Sequence, residues 1–314
     1  MSKIATREAY GKALAQLGAQ NPAVVVLDAD LSKSTKTADF AKVFPERFFN
    51  VGIAEQNLMG IAAGLAAAGK IPFASTFAMF ATGRAFEQIR NSIAYPRLNV
   101  KIAATHAGIT VGEDGGSHQT VEDIALMRVL PGMTVIVPAD GIEAEQAVFA
   151  AAVHQGPVYL RFGRSAVPQV NADNYRFEIG KIYELRPGRD VTIFACGIMV
   201  AEALNAAENL AADGIEAQVI NVPTIKPLDA EAVVQAARLT GAVVTAEEHS
   251  IIGGLGSAIT EALAEHYPVP VERVGIKDTF GESGQPAELL QKYGLTAEAI
   301  RAAAFRVLKR REGK

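Results

Sequence analysis

Tyr10, Ala13, Leu14 and Leu17 fall on one helical face, and Gly18 followed by Asn21-Pro22 predicts where that helix ends. An uninterrupted apolar run at 23–27 then reads as a buried strand. The alternation returns, with strands expected near 48–51, 71–74, 100–105, 134–137 and 158–162 and helical spacing between them. Continuous apolar strands separated by helices describe a parallel sheet covered on both faces. From 166 to 189 the pattern weakens into a polar stretch punctuated by Pro and Gly, read as a linker with room for a hairpin. Alternation resumes with strands at 191–195, 217–222, 242–247 and 271–276. The expected fold class is α/β, with two doubly wound domains: residues 1–165, then a smaller one over 190–314.

Composition narrows the setting. The 314 residues suit about two domains, and at 49% hydrophobic the chain is not expected to be disordered. A net charge of −4 offers no overall electrostatic case for nucleic acid. A single cysteine, Cys196, cannot form an intrachain disulfide, which fits a reducing compartment and also a cysteine-poor exported protein. The N-terminal residues lack a signal-peptide core, and Lys70 interrupts the most apolar region, 57–83. A cytoplasmic protein that does not enter the membrane is expected.

Ligands of doubly wound sheets bind beyond the carboxyl ends of the strands. Here those ends are followed by Asp28-Ala29-Asp30 with Ser32 and Ser34, by Glu55, by Ser75-Thr76-Phe77, by His106 and by Arg164. The loop from His106 to Gln119 gathers two histidines, two carboxylates and Gly108, Gly112, Gly115 and Gly116. Glycines allow close backbone approach, while Asp114 and His118 supply an acceptor and a near-neutral acid or base. A plain flexible connection is the alternative, and the spacing does not favour a metal. Glu55 opens a segment with an apolar face (Leu58, Ile61, Ala62, Leu65) and a small one (Gly60, Gly64, Ala68), the latter suited to an interface. Its carboxylate either benefits from a helix N-terminus or, in an apolar setting, acts as a proton donor with a raised pKa. The run Gly253-Gly254-Leu255-Gly256 lacks the full dinucleotide fingerprint and reads as a helix start, and Cys196 reads as packing.

Taken together, VVLDADLSKS, FNVGIAEQNLMGIAAGLA, FASTFAMFATGRAFEQIR, the stretch from ATHAGITVGEDGGSHQ to VIVPAD, and NVPTIKPLD resemble the C-terminal half of transketolase, as found where the enzyme is split into two chains. The resemblance implies a pyrimidine-binding parallel sheet for thiamine diphosphate, followed by the smaller transketolase C-terminal domain. The implied reaction transfers a two-carbon ketol unit from a ketose phosphate to an aldose phosphate. Glu55 corresponds to the glutamate that hydrogen-bonds the aminopyrimidine ring and so activates the cofactor. Phe77 and Phe80 match the aromatics that stack on that ring, and Asp30 an acidic residue near the cofactor and the chain interface. A third aromatic of some transketolases falls at Gly83. His118 corresponds to the histidine near the reacting carbons, and Asp114 to the carboxylate that holds a sugar hydroxyl. Arg7, Ser34, His106 and Arg164 match the group that grips the substrate phosphate, with Arg161 a nearby competitor for the last place.

The family's metal-binding Gly-Asp-Gly, with Asn about 25 to 30 residues later, is missing; Ala212-Asp213-Gly214 has no suitable Asn. The resemblance therefore implies an N-terminal partner subunit that holds Mg²⁺ or Ca²⁺ and the diphosphate, in an α2β2 assembly. Two alternatives stand beside it: the β subunit of a 2-oxoacid dehydrogenase, and a non-catalytic interaction subunit on the same fold.

Overall fold

A computed structural model describes residues 3–313. The strands in chain order are β1 (Lys3–Ala5), β2 (Val24–Asp28), β3 (Phe48–Asn50), β4 (Ile71–Phe77), β5 (Lys101–Thr105), β6 (Thr134–Ile136) and β7 (Val158–Arg161). They continue with β8 (Ala166–Pro168), β9 (Tyr183–Arg186), β10 (Val191–Ala195), β11 (Ala217–Asn221), β12 (Thr224–Lys226), β13 (Val243–Ser250) and β14 (Val271–Ile276). Every strand expected from the apolar runs is present.

Seven strands form one sheet in the order β12-β6-β7-β5-β4-β2-β3, parallel except for the edge strand β12. The chain leaves β2 toward β3 on one side and leaves β4 toward β5 on the other. The crevice between β2 and β4 is thus a topological switch point, where loops part and leave room for a ligand. The second sheet runs β14-β13-β10-β11-β9 and is parallel except at β9.

The helix Thr6–Gln20 buries Tyr10, Ala13, Leu14 and Leu17 and ends where the Asn21 N–H reaches the Leu17 carbonyl. It joins helix Gly141–Val153 on one face of the first sheet, where Val24, Val26, Phe73 and Leu160 are wholly covered. On the other face, Leu58, Ile102 and Val135 share one continuous core with Phe194, Ile220 and Leu255 of the second half. At roughly 25 cal/mol per Å² of apolar surface, this continuity binds the two sheets into one packed body.

The stretch expected as a linker with a hairpin is built differently. β8 pairs antiparallel with the N-terminal β1, and β9 with β11, so neither of its strands pairs with the other. β12, although drawn from the C-terminal half, completes the first sheet. Periodicity reports which residues are covered, and it is silent on such distant edge partners. Among the described residues, no helix is long and apolar enough to cross a membrane.

Candidate active site

Glu55 is the first residue of helix Glu55–Ala67 and is 2% exposed. Its expected surroundings were apolar, yet Arg84 Nη1 donates to its Oε2 over 2.8 Å. Arg84 is carried by a π-helical turn, Phe80–Arg84, and its guanidinium also lies over the Phe80 ring, 4.5 Å from the centroid. The same turn holds Gly83, where the third aromatic was absent. A Cβ there would stand 2.4 Å from Met79 Cε, so Met79 occupies the space next to that position.

From Glu55 the site continues through rings. Phe77, at the end of β4, stacks with Phe80 at 5.8 Å and 13°, and with His106 at 3.8 Å and 23°. His118 meets Phe80 edge-on at 5.2 Å, and its Nδ1 lies 3.0 Å from Ser117 Oγ. A pair of nearly parallel phenyl rings beside a buried carboxylate suits a flat heterocycle with a polar ring nitrogen.

His106 follows the last residue of β5, with φ at 58°. Its Nε2 lies 3.3 Å from Arg7 Nη1 and its Nδ1 2.8 Å from Thr105 Oγ1. Since Arg7 can only donate, Nε2 accepts and Nδ1 carries the proton. Burial, reinforced by Arg7, Arg164 and His118, pushes the imidazole down to about 3, so it is neutral at physiological pH. Arg7 also donates to the Ser34 backbone carbonyl at 2.8 Å. Burial lowers Arg7 as well; Glu8 opposes this and Arg164 adds to it.

Arg164 donates to the Val111 carbonyl and to Glu113 Oε2 at 3.2 Å, and stands 4.0 Å from Asp114 Oδ2. Its rival is placed quite differently. Arg161 is 6% exposed and spends its donors on Asp123, at 2.7 and 3.2 Å, and on the Glu248 carbonyl at 2.9 Å. Asp30 lies on the exposed rim, where it accepts from Asn50 Nδ2 at 2.9 Å. Behind it Asp28 is buried and takes Thr35, Thr37 and the Leu31 N–H, fixing the turn after β2.

Sequence reasoning missed Arg84 and Thr105. Arg84 lay inside a quoted motif, but its aim at Glu55 depends on the extra residue that a π turn accommodates. The glycine run at 253–256 proves to be a helix cap. Glu247 accepts from the Leu255 and Gly256 N–H groups at 2.7 and 2.8 Å, and a Cβ at Gly254 would lie 2.0 Å from its Oε2. Cys196 is buried and held well above the ordinary thiol value by burial, in keeping with packing. A groove of about 620 Å³ lined in part by Arg128, Lys226, Glu261 and His266 gathers none of the site residues.

The donor set fits one end of thiamine diphosphate. Glu55 and the Phe77–Phe80 pair suit the aminopyrimidine. Among the described residues, no group of three His, Cys, Asp or Glu side chains is placed to hold a metal ion.

A doubly wound sheet whose strand ends gather a buried carboxylate, paired aromatics and an arginine–histidine cluster defines the chain as an α/β protein with its polar residues collected at one sheet edge. Comparison with known proteins identifies the family. The transketolase pyrimidine-binding domain model matches residues 2–169, and the transketolase C-terminal domain model residues 180–300. A protein of Methanocaldococcus jannaschii described as a transketolase C-terminal section is 53% identical over 94% of this chain and 93% of its own length. A 6-deoxy-6-sulfo-D-fructose transketolase subunit of a Clostridium species is 48% identical over 97% of this chain and 95% of its own. The solved structure of a split-gene transketolase, described as an inactive β4 tetramer, superposes with a TM-score of 0.92 at 64% identity, covering 98% of this chain and 99% of that one. The chain belongs to the transketolase family, as a transferase-type enzyme subunit with the pyrimidine-binding and C-terminal domains. The family domains imply dependence on thiamine diphosphate.

Proposed function

We propose that this chain is the C-terminal subunit of a two-chain transketolase, moving a two-carbon ketol unit between sugar phosphates and active only with a partner that holds the diphosphate and its Mg²⁺ or Ca²⁺. The observation that carries this reading is the unbroken series of contacts from Glu55 through Arg84, Phe80 and Phe77 to His106 and Arg7. It joins a cofactor end to an anion end along one sheet edge. The partner requirement is supported by the absent metal-binding motif and by relatives described as a section or a split gene. Helix Glu55–Ala67 supports it too: a Cβ at Gly60 or Gly64 would meet nothing within 4 Å, and nearby Ile53 is 78% exposed. An α2β2 assembly, a cytoplasmic setting and a place in pentose phosphate metabolism belong to the same proposal.

When bound, thiamine diphosphate supplies the electron sink for carbon–carbon cleavage. Glu55 would present a carboxyl oxygen to the aminopyrimidine nitrogen, with Oε2 accepting from Arg84 and Oε1 left without that arginine. Phe77 and Phe80 hold the ring plane and keep water from Glu55. His118, packed edge-on against Phe80, donates to or takes a proton from the substrate oxygen. Asp114 accepts from a sugar hydroxyl. Arg7 and Arg164 bind the phosphate through charge-assisted bonds, with neutral His106 turning its Nε2 to Arg7.

The test is co-expression with a candidate N-terminal subunit, then assay with xylulose 5-phosphate and ribose 5-phosphate in the presence of thiamine diphosphate and Mg²⁺. Ketol transfer that appears only on mixing is the expected result; full activity of the isolated chain overturns the split reading. A sulfonated ketose is a second reading, supported by the sulfosugar subunit 48% identical to this chain and by a cluster that recognises an anion of either kind. Competition between the two donors separates them.

A further inference from the structure

Gln119 follows His118 and is 3% exposed. Its Nε2 donates to the Ile109 carbonyl at 3.2 Å and the Gly112 carbonyl at 3.0 Å, closing the glycine-rich loop on itself. The same nitrogen reaches the Glu282 carbonyl at 2.9 Å, more than 160 residues along the chain. Around that contact the two segments interlock. Ser283 Oγ donates to the Glu113 carbonyl at 2.5 Å, and Gln285 Nε2 to Glu113 Oε1 at 3.0 Å. A Cβ at Gly281 would lie 1.9 Å from Gln119 Oε1, and one at Gly116 would lie 2.7 Å from the Gly281 carbonyl oxygen. Both glycines are therefore needed for the approach. Asp114 and His118 sit between these ties, on a loop with no helix or strand of its own beyond the short turn Ile109–Val111.

We propose that Gln119 is a positioning residue for ketol transfer, and that the segment 281–285 of the C-terminal half completes a clamp that fixes His118 and Asp114. The proposal rests on the transketolase reading above. It gives the second half of the chain a part in the chemistry besides assembly. The physical basis is that an error of about 1 Å in a reacting group can cost about a hundredfold in rate. A loop rich in glycine does not hold that tolerance unaided.

Gln119→Met keeps the side-chain volume and removes the two N–H donors that the three carbonyls share; Gly281→Ala displaces the amide from the other side. In the enzyme reconstituted with its partner, each variant is expected to lower kcat for ketol transfer about 30-fold, with KM for the donor within about threefold. Exchange of the cofactor's C2 proton, which depends on Glu55, stays at the wild-type rate. In the chain alone, amide hydrogen exchange at 112–119 quickens about tenfold while helix Thr6–Gln20 keeps its protection. An unchanged kcat overturns the clamp, and so does loss of protection throughout the chain, which would make the role merely structural. If the wild-type pair transfers no ketol unit, the proposed function fails instead, and the exchange measurement on the chain alone still decides whether Gln119 holds the loop.

Discussion

Arg161 and Arg164 stand three residues apart at the end of the same strand. Arg161 is enclosed: Asp123 takes two of its donors, the Glu248 carbonyl a third, and Tyr159 adds its hydroxyl to Asp123 at 2.7 Å. Burial pushes the Asp123 carboxyl up, but Arg161, His249 and Tyr159 together outweigh it and leave the carboxyl below the ordinary value. Arg164 is 35% exposed; its Nη1 lies 3.2 Å from Glu113 Oε2 and 4.0 Å from Asp114 Oδ2, both themselves about half exposed, and Arg7 acts on the same neutral His106. A saturated buried charge fixes the fold, since its hydrogen bonds replace the water it gave up. A half-exposed cation whose carboxylate partners are also in water is held only by weak, exchangeable pairs. Burial, and not residue type, separates the two arginines.

The contrast can be broken most sharply at the buried end. Asp123→Ala leaves Arg161 charged and unpaired, and is expected to cost about 3–5 kcal/mol in urea unfolding. Replacing both partners, Asp123→Leu with Arg161→Met, should recover much of that. A loss below about 1 kcal/mol for the single variant would contradict the structural role.

Glu55→Gln comes next. It is expected to reduce ketol transfer at least about a hundredfold while the chain still assembles with its partner, as measured by kinetics and sedimentation. Equal activity, or failure to assemble, would place Glu55 with Arg161 among the structural charges.

Arg164→Ala should raise KM for phosphorylated donors about tenfold or more, the scale of a lost charge-assisted bond, with little effect on hydroxypyruvate. Stability should change by no more than about 0.5 kcal/mol, as for an exposed position. Equal effects on both donors would sink the phosphate assignment.

The smallest effect concerns His106, held at about 3 in the folded chain against about 6.5 when unfolded. Between those values the unfolded chain binds a proton that the folded chain refuses, so stability declines as pH falls. Its contribution is present above about pH 6.5 and should drop by about 1 kcal/mol between pH 7 and 5.5. Comparison with His106→Gln at both pH values isolates this share, and identical slopes would rule it out.

Much of the fold was legible in the sequence. Strands buried on both faces must be continuous apolar runs, and each of those runs became a strand. The short strands at 166–168, 183–186 and 224–226 were not, because their partners are remote and three or four residues are too few to show a period. At the site, the carboxyl ends of the strands named where polar residues collect; contacts link Glu55, Phe77, Phe80, His106, His118 and Arg7 there, whereas Asp30 pairs with Asn50 on the rim. The ion pair of Arg84 with Glu55 and the grip of Gln119 on Glu282 had no local signature.

The sequence by itself determined the alternation of helix and strand, the family, and the set of polar residues at the strand ends. These follow from local pattern and from motifs carried on single segments. Tertiary structure alone decided which arginine was buried in the fold and which was left half-exposed at the sheet edge. It also decided that the glycines at 254 and 256 make room for the Glu247 cap, and that the second half of the chain reaches back to the loop bearing His118. Whether a charge is saturated depends on groups brought in from distant segments, such as Asp123 and Glu248 beside Arg161, and no pattern along one segment contains that information.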